Sequence, residues 1–237
     1  MTNFVFVHGA FHGAWCWKPL LDELKAQGHQ TTAIDLPGSG EDQTPIDEVT
    51  LEAAVARVIE TIRLTKGPAV LVGHSMGGVV ITQVADRIPE LLDRVVYIAG
   101  FRPRNGEALL DLAALPEGAG DGVQANLTVA GNPPMAIFNQ NAAAEIFYHD
   151  CPPVLVEWAT PRLKPQPTAL DITPVVLQNG AFPTSDYIVC TDDRATPVSL
   201  QKFMATRDFA RVFELSTGHS PFMSRPTEVA KILTTTT

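Results

Sequence analysis

Between residues 4 and 98, short apolar runs alternate with stretches of helical periodicity, and few folds accommodate that alternation. Phe4–Val7, Thr31–Ile34, Ala69–Val72 and Val95–Ile98 read as strands. Trp17, Leu20, Leu21 and Leu24 fall at helical spacing on a segment closed by Gly28. Leu51, Val55, Val58 and Ile62 share one face of a second helix, and a third helix stops before Pro89. Strand and helix in strict alternation mean parallel strands joined by right-handed crossovers. The pattern lapses over 102–183, a stretch rich in Gly and Pro with no clean strand. It resumes with strands at Tyr187–Cys190 and Val212–Leu215, a helix over Val198–Ala205 and a last helix from Pro226 to Leu233, for which Ser224 is the expected N-cap. The expectation is a single α/β domain over 1–237, with its core in 1–101 and 184–237. Its sheet has about six strands, mainly parallel and flanked by helices. A mostly helical cap at about 102–183 follows the fourth strand, above the crevice that open α/β sheets form at their carboxyl edge.

Gly73-His74-Ser75-Met76-Gly77-Gly78 ends the third strand and opens a helix. A serine at the tip of so sharp a turn occupies a strained backbone conformation, and the residues two before and two after it crowd the neighbouring chain, so both are glycine. The helix N-terminus directs N–H groups and a positive dipole end at the serine. Ser75 is therefore the candidate nucleophile. A hydroxyl needs a base. Of the six histidines, His219 follows the last strand, at the edge where Ser75 lies, and fits that role best. The imidazole in turn needs an anion to hold its tautomer. Asp193 and Asp192 both follow the fifth strand; Asp193 is preferred because its turn reaches Pro197 four residues later.

Acyl transfer places negative charge on a former carbonyl oxygen, which two N–H donors must meet. Met76 supplies one candidate donor and Ala10, in the loop after the first strand, the other; Gly9 lets that loop approach closely. His8 and His12 in the same loop read as hydrogen-bonding residues rather than metal ligands, because no carboxylate or thiol accompanies them in sequence.

Composition removes other classes. Lys and Arg number 17 against 26 Asp and Glu, a net charge of -9, which disfavours nucleic acid as a partner. Three scattered cysteines, Cys16, Cys151 and Cys190, form neither a disulfide framework nor a zinc motif. No signal peptide or membrane-length apolar run is legible, so a cytoplasmic protein is expected. No phosphate loop, nucleotide fingerprint or metal cluster is present in the sequence, and no cofactor is expected.

Val7-His8-Gly9-Ala10, His12-Gly13-Ala14-Trp15, Asp35-Leu36-Pro37-Gly38-Ser39-Gly40, the elbow and Gly218-His219 together resemble the α/β-hydrolase superfamily. More narrowly they resemble the branch of plant methylesterases, plant hydroxynitrile lyases and small bacterial esterases. The resemblance spans nearly the whole chain and is weakest in the cap. It implies the α/β-hydrolase fold, a triad of Ser75, Asp193 and His219, and oxyanion donors at Ala10 and Met76. The better-known lyases of the branch carry threonine at the position of Gly9, glutamate at that of His74 and lysine at that of Ser220. All three positions here resemble the esterase pattern.

The expected activity is serine carboxylic-ester hydrolysis, EC 3.1.1, of small to medium uncharged esters through an acyl-enzyme. Cyanohydrin cleavage and a low-turnover ligand-binding protein on the same fold are the alternatives. Phe11, Phe101, Phe138, Phe147, Trp158 and Phe222 are the candidate substrate-binding residues. A small-molecule ester is the expected partner, with neither nucleic acid nor membrane, and the chain is expected to be a monomer or homodimer.

Overall fold

The computed structural model describes residues 1–180 and 182–235. The chain opens with β1 (Asn3–Val7), a 3-10 turn over Ala14–Trp17, α1 (Lys18–Ala26), β2 (Gln30–Ile34), α2 (Leu51–Arg63), β3 (Ala69–His74), α3 (Gly77–Arg87) and β4 (Leu92–Ile98). The intervening segment carries α4 (Leu109–Ala113), β5 (Leu127–Ala130), β6 (Met135–Phe138), α5 (Ala143–Ile146), α6 (Pro153–Ala159), β7 (Gln166–Pro167) and α7 (Ala169–Ile172). The chain then returns to the main layer with β8 (Ser185–Cys190), α8 (Val198–Met204), β9 (Arg211–Leu215), α9 (Pro221–Ser224) and α10 (Pro226–Thr234).

Six strands form one parallel sheet in the order β2-β1-β3-β4-β8-β9. The interior strands β3 and β8 are buried on both faces, which is why they read as unbroken apolar runs. Their alternate side chains go to different cores. Val5, Val7, Leu71, Val95 and Val189 pack with α2, α3 and α8. Phe4, Phe6, Val72, Ile98 and Ile188 pack with α1 and α10. The edge strands β2 and β9 are only partly covered, and their burial alternates along the chain. Gly28 closes α1 with φ of 82°, a left-handed conformation that suits glycine. Among the described residues no helix is long and apolar enough to cross a membrane.

Two local expectations need correction. Residues 102–183 were expected to hold no clean strand, yet β5, β6 and β7 form a three-stranded antiparallel sheet. Its strands are short, one is only Gln166–Pro167, and β5 is largely exposed, so no alternation is legible. Ser224 does not cap the last helix. It ends the short helix α9, and Arg225 stands at the N-cap of α10. Pro221 and Pro226 each start a helix because proline suits a first turn, which divides the segment into two.

Candidate active site

The register of β3 against β1 and β4 brings its carboxyl end, Gly73-His74, beside Val7 and Ile98. Ser75 follows with φ of 51°, in the left-handed region that a side chain normally avoids. Its backbone is tied down on both sides. The Ser75 N–H donates to the Ile98 carbonyl at 3.2 Å, and its own carbonyl accepts the N–H groups of Gly78 at 2.9 Å and Phe101 at 3.0 Å. The glycines are required by space. A Cβ at Gly73 would lie 2.6 Å from Ile81, and one at Gly77 would lie 2.6 Å from the carbonyl oxygens of Val7 and His8. Gly78 is tighter still, at 2.3 Å from the Phe101 carbonyl oxygen. The surroundings thus over-determine a strained turn, as expected where strain serves a site.

His219 stands in the loop after β9 and is buried. Its Nδ1 lies 2.7 Å from Asp193 Oδ2. Its ring centroid is 4.4 Å from that of His74, the residue before Ser75. His74 Nε2–H donates to the His219 carbonyl at 2.9 Å, so the elbow and the histidine loop are joined directly. Asp193 is the aspartate brought to His219. Asp192 is exposed, and its carbonyl accepts a bond from His149 Nε2. Asp193 Oδ1 accepts the N–H groups of Ala195 and Thr196, at 2.7 and 3.1 Å. Its Oδ2 also accepts Gln201 Nε2 at 2.8 Å. Gln201 is fully buried and is held by Cys190 N–H and the Thr196 carbonyl. Nothing in the sequence around Gln201 signals this contact, since it lies on α8 and reaches the site only through tertiary packing.

The loop after β1 is braced by its two histidines. His8 Nδ1–H donates to the Gly9 carbonyl at 2.8 Å, while Nε2 accepts the Leu36 N–H at 3.2 Å. His12 Nδ1–H donates to the Ala10 carbonyl at 2.6 Å, while Nε2 accepts the Tyr148 hydroxyl at 2.7 Å. Each ring donates once and accepts once, which requires the neutral form. Burial lowers both affinities for a proton, that of His12 to about 3, and burial lowers that of His74 well below the ordinary range. Among the described residues, neither the Ala10 nor the Met76 N–H donates to a backbone carbonyl. The next amide, Phe11 N–H, donates instead to Gln166 Oε1 at 3.1 Å, and Phe11 itself has φ of 65°.

In front of Ser75 lies a cavity of about 360 Å³. Ala10, Phe11, Met76 and Phe101 line its floor alongside Ser75. Thr196 of the core also lines it, and the cap supplies the rest of the wall, including Leu109, Val123, Leu127, Ala136 and Ile172. The other candidate aromatics are not among its lining residues. Phe138 and Phe147 stack behind Phe11, with centroids 5.6 and 6.4 Å from it. Phe222 fills the space between Trp17 and His74. Trp158 packs against Trp15 and under the Arg162 guanidinium. These four aromatics build the support of the loops rather than the wall. Two carboxyls that no sequence motif singles out do reach the cavity, Asp121 and Asp171. Burial raises the proton affinity of both, that of Asp171 to about 7. Among the described residues no group of three or more His, Cys, Asp or Glu side chains is arranged to hold a metal ion.

Residues 4–232 match the model of the alpha/beta hydrolase family. Methylesterase 7 of Arabidopsis thaliana is 32% identical over 255 residues, covering 98% of this chain and 94% of its own. The carbendazim hydrolyzing esterase of Nocardioides sp. (strain SG-4G) is 31% identical over 243 residues, covering 98% of each. Against some chloroplastic relatives the chain spans little more than half their length, 55% in one case. Among solved structures, polyneuridine aldehyde esterase superposes with a TM-score of 0.86 at 25% identity, over 98% of each chain.

Proposed function

The chain belongs to the alpha/beta hydrolase family, and from that premise we propose that it is a serine carboxylic-ester hydrolase working through an acyl-enzyme. The relatives named as esterases and methylesterases support ester hydrolysis in general. The serine mechanism rests on one observation above the rest. The buried Asp193–His219 pair, 2.7 Å apart, stands against His74, the residue before a serine held at φ of 51°, and that serine opens onto a largely apolar cavity.

In this reading His219 Nε2 takes the Ser75 proton as Oγ attacks the ester carbonyl. Asp193 accepts the Nδ1–H, which holds the tautomer and stabilises the imidazolium. The oxyanion is met by the N–H groups of Ala10 and Met76, whose freedom from backbone carbonyls is what such a role demands. Collapse breaks the bond to the alkoxide, which leaves as the alcohol with the proton from His219. Water, deprotonated by His219, then attacks the acyl group, and Ser75 is restored as the carboxylic acid departs. The cavity, at about 360 Å³, suits small to medium uncharged esters. Methyl esters are the first to try, given the methylesterase relatives.

The test is hydrolysis of short-chain p-nitrophenyl esters by wild type and Ser75→Ala in parallel, with a fluorophosphonate probe read by intact mass. Turnover that collapses in the variant, with a single adduct on Ser75, is the expected result. Equal rates in both proteins, or no adduct under native conditions, would overturn the mechanism.

A further inference from the structure

The cavity wall is apolar apart from a few groups, and Asp171 differs from the others in how little satisfies it. Its carboxylate has room for about four hydrogen bonds. Among the described residues it receives them from one donor only, Gln166 Nε2, at 3.1 and 3.2 Å to its two oxygens. Gln166 is itself buried, and its remaining contacts are with the Phe11 N–H and Met76 Sδ. A single amide therefore links Asp171 to the two elements that carry the oxyanion donors. Asp121, the other titratable group on the wall, is differently placed. Its Oδ1 accepts the N–H groups of Val123 and Gln124 at 2.8 and 2.9 Å and so holds its own turn. Among the described residues no Lys or Arg lines the cavity.

We propose that Asp171 is the specificity-determining residue of this cavity, the acceptor for an N–H or O–H group on an otherwise apolar, uncharged ester. This rests on the ester-hydrolase reading given above. An acceptor left without a donor in an apolar wall is costly, and a substrate N–H or O–H removes that cost. A site built to bind such a group rejects the analogue that lacks it far more strongly than an apolar pocket rejects one methylene. The upward push of burial on the Asp171 carboxyl, to about 7, has the same origin. Two carboxyls and no facing cation also exclude esters that carry a second, ionised carboxylate.

The experiment uses methyl phenylacetates that differ only at the para position, as hydroxyl, amino, methyl, methoxy or carboxylate. They are compared near pH 8, above the value of about 7 to which burial raises the Asp171 carboxyl. Wild type is expected to favour the hydroxyl and amino esters over the methyl ester by tenfold or more in kcat/KM, with the carboxylate ester poorest. Asp171→Leu should bring the first three within threefold of one another. Asp171→Asn exchanges one carboxylate oxygen for an NH2 group; with the remaining oxygen accepting Gln166 Nε2, that group is left to the substrate and should turn the preference toward the methoxy ester. A wild-type ranking with hydroxyl and methyl within threefold, or one unchanged in Asp171→Asn, would overturn the proposal.

Calorimetric binding of p-cresol against p-xylene to Ser75→Ala reads the same subsite without turnover. If p-cresol is preferred, and the preference is lost on adding Asp171→Asn, the subsite stands even where wild type hydrolyses no ester and the hydrolase reading falls. Equal binding of the two, beside normal hydrolysis of neutral esters, sinks the subsite alone.

Discussion

Asp193 accepts four hydrogen bonds through two oxygens, and the pattern dictates what replacing it would do. The backbone N–H groups of Ala195 and Thr196 oblige an asparagine at 193 to keep its carbonyl oxygen toward them. Its NH2 group would then face His219 Nδ1 and force the tautomer that carries the proton on Nε2. That tautomer cannot accept the Ser75 proton, so Asp193→Asn is expected to lower kcat by about 10³- to 10⁴-fold, with a native fold by circular dichroism. Gln201 acts one step further out. Gln201→Met keeps the bulk of the side chain but removes the donor to Oδ2, and a fall in kcat of about 10-fold with KM little changed is expected from a misplaced imidazole. A loss that appears only in KM, or only in melting temperature, would give Gln201 a merely structural role. These two residues also mark how far a sequence can be read. Aspartate and histidine at strand ends carry their chemistry visibly. A glutamine in the middle of a helix is identified only once the fold has placed it against a carboxylate.

At the scale of elements, the elbow and the cap obey different rules. The elbow is local, so its strand, turn and helix are all legible from consecutive residues. Even so, the tightest glycine of the elbow is Gly78, set by the approach of Phe101 from a distant loop. Gly78→Ala would place a methyl group against backbone that has nowhere to move, and a loss of about 3 kcal/mol in urea unfolding is expected. The cap is non-local throughout. Its hairpin of β5 and β6 turns through Gly131-Asn132-Pro133-Pro134, and its third strand holds a proline, so composition there signals loop rather than sheet. Among the contacts that tie the cap to the core are two on the Phe11 backbone, whose N–H donates to Gln166 Oε1 and whose carbonyl accepts the Lys164 N–H. Gln166→Met releases the first. The loop after β1 then loses one of its braces, and kcat is expected to fall by roughly 10-fold, with KM for neutral esters changing far less. Equal kcat in the two proteins would show that the loop holds its shape without the Gln166 bond.

For the whole molecule, placing the site at the sheet's carboxyl edge fills the interior with neutral imidazoles, and that has a consequence for stability in acid. An unfolded histidine titrates near 6.5, whereas folded His12 titrates at about 3. Below 6.5 the unfolded chain binds a proton that the folded chain refuses. The stability that His12 confers is therefore complete above 6.5 and is lost as pH falls, on the order of 4–5 kcal/mol by the time both states are protonated. His8 and His74 have the same sign, because burial lowers both. Asp171 opposes them. Its folded value of about 7 lies above the unfolded 3.8, so its contribution is greatest in acid and is lost as pH rises toward 7. The His12 and Asp171 shifts are of similar size and opposite sign, and the two further histidines lowered by burial outnumber the one further carboxyl raised by it, Asp121, so a net loss of stability on acidification is expected. Urea midpoints measured between pH 7 and 4.5 should fall steadily. His12→Gln, which can still donate to the Ala10 carbonyl and accept from Tyr148, should flatten that dependence by about one proton, or roughly 1.4 kcal/mol per pH unit below pH 6. Asp171→Asn should steepen it. Parallel curves for wild type and His12→Gln would mean that His12 carries a proton in the folded chain, and the neutral bridge between the oxyanion loop and Tyr148 would have to be abandoned.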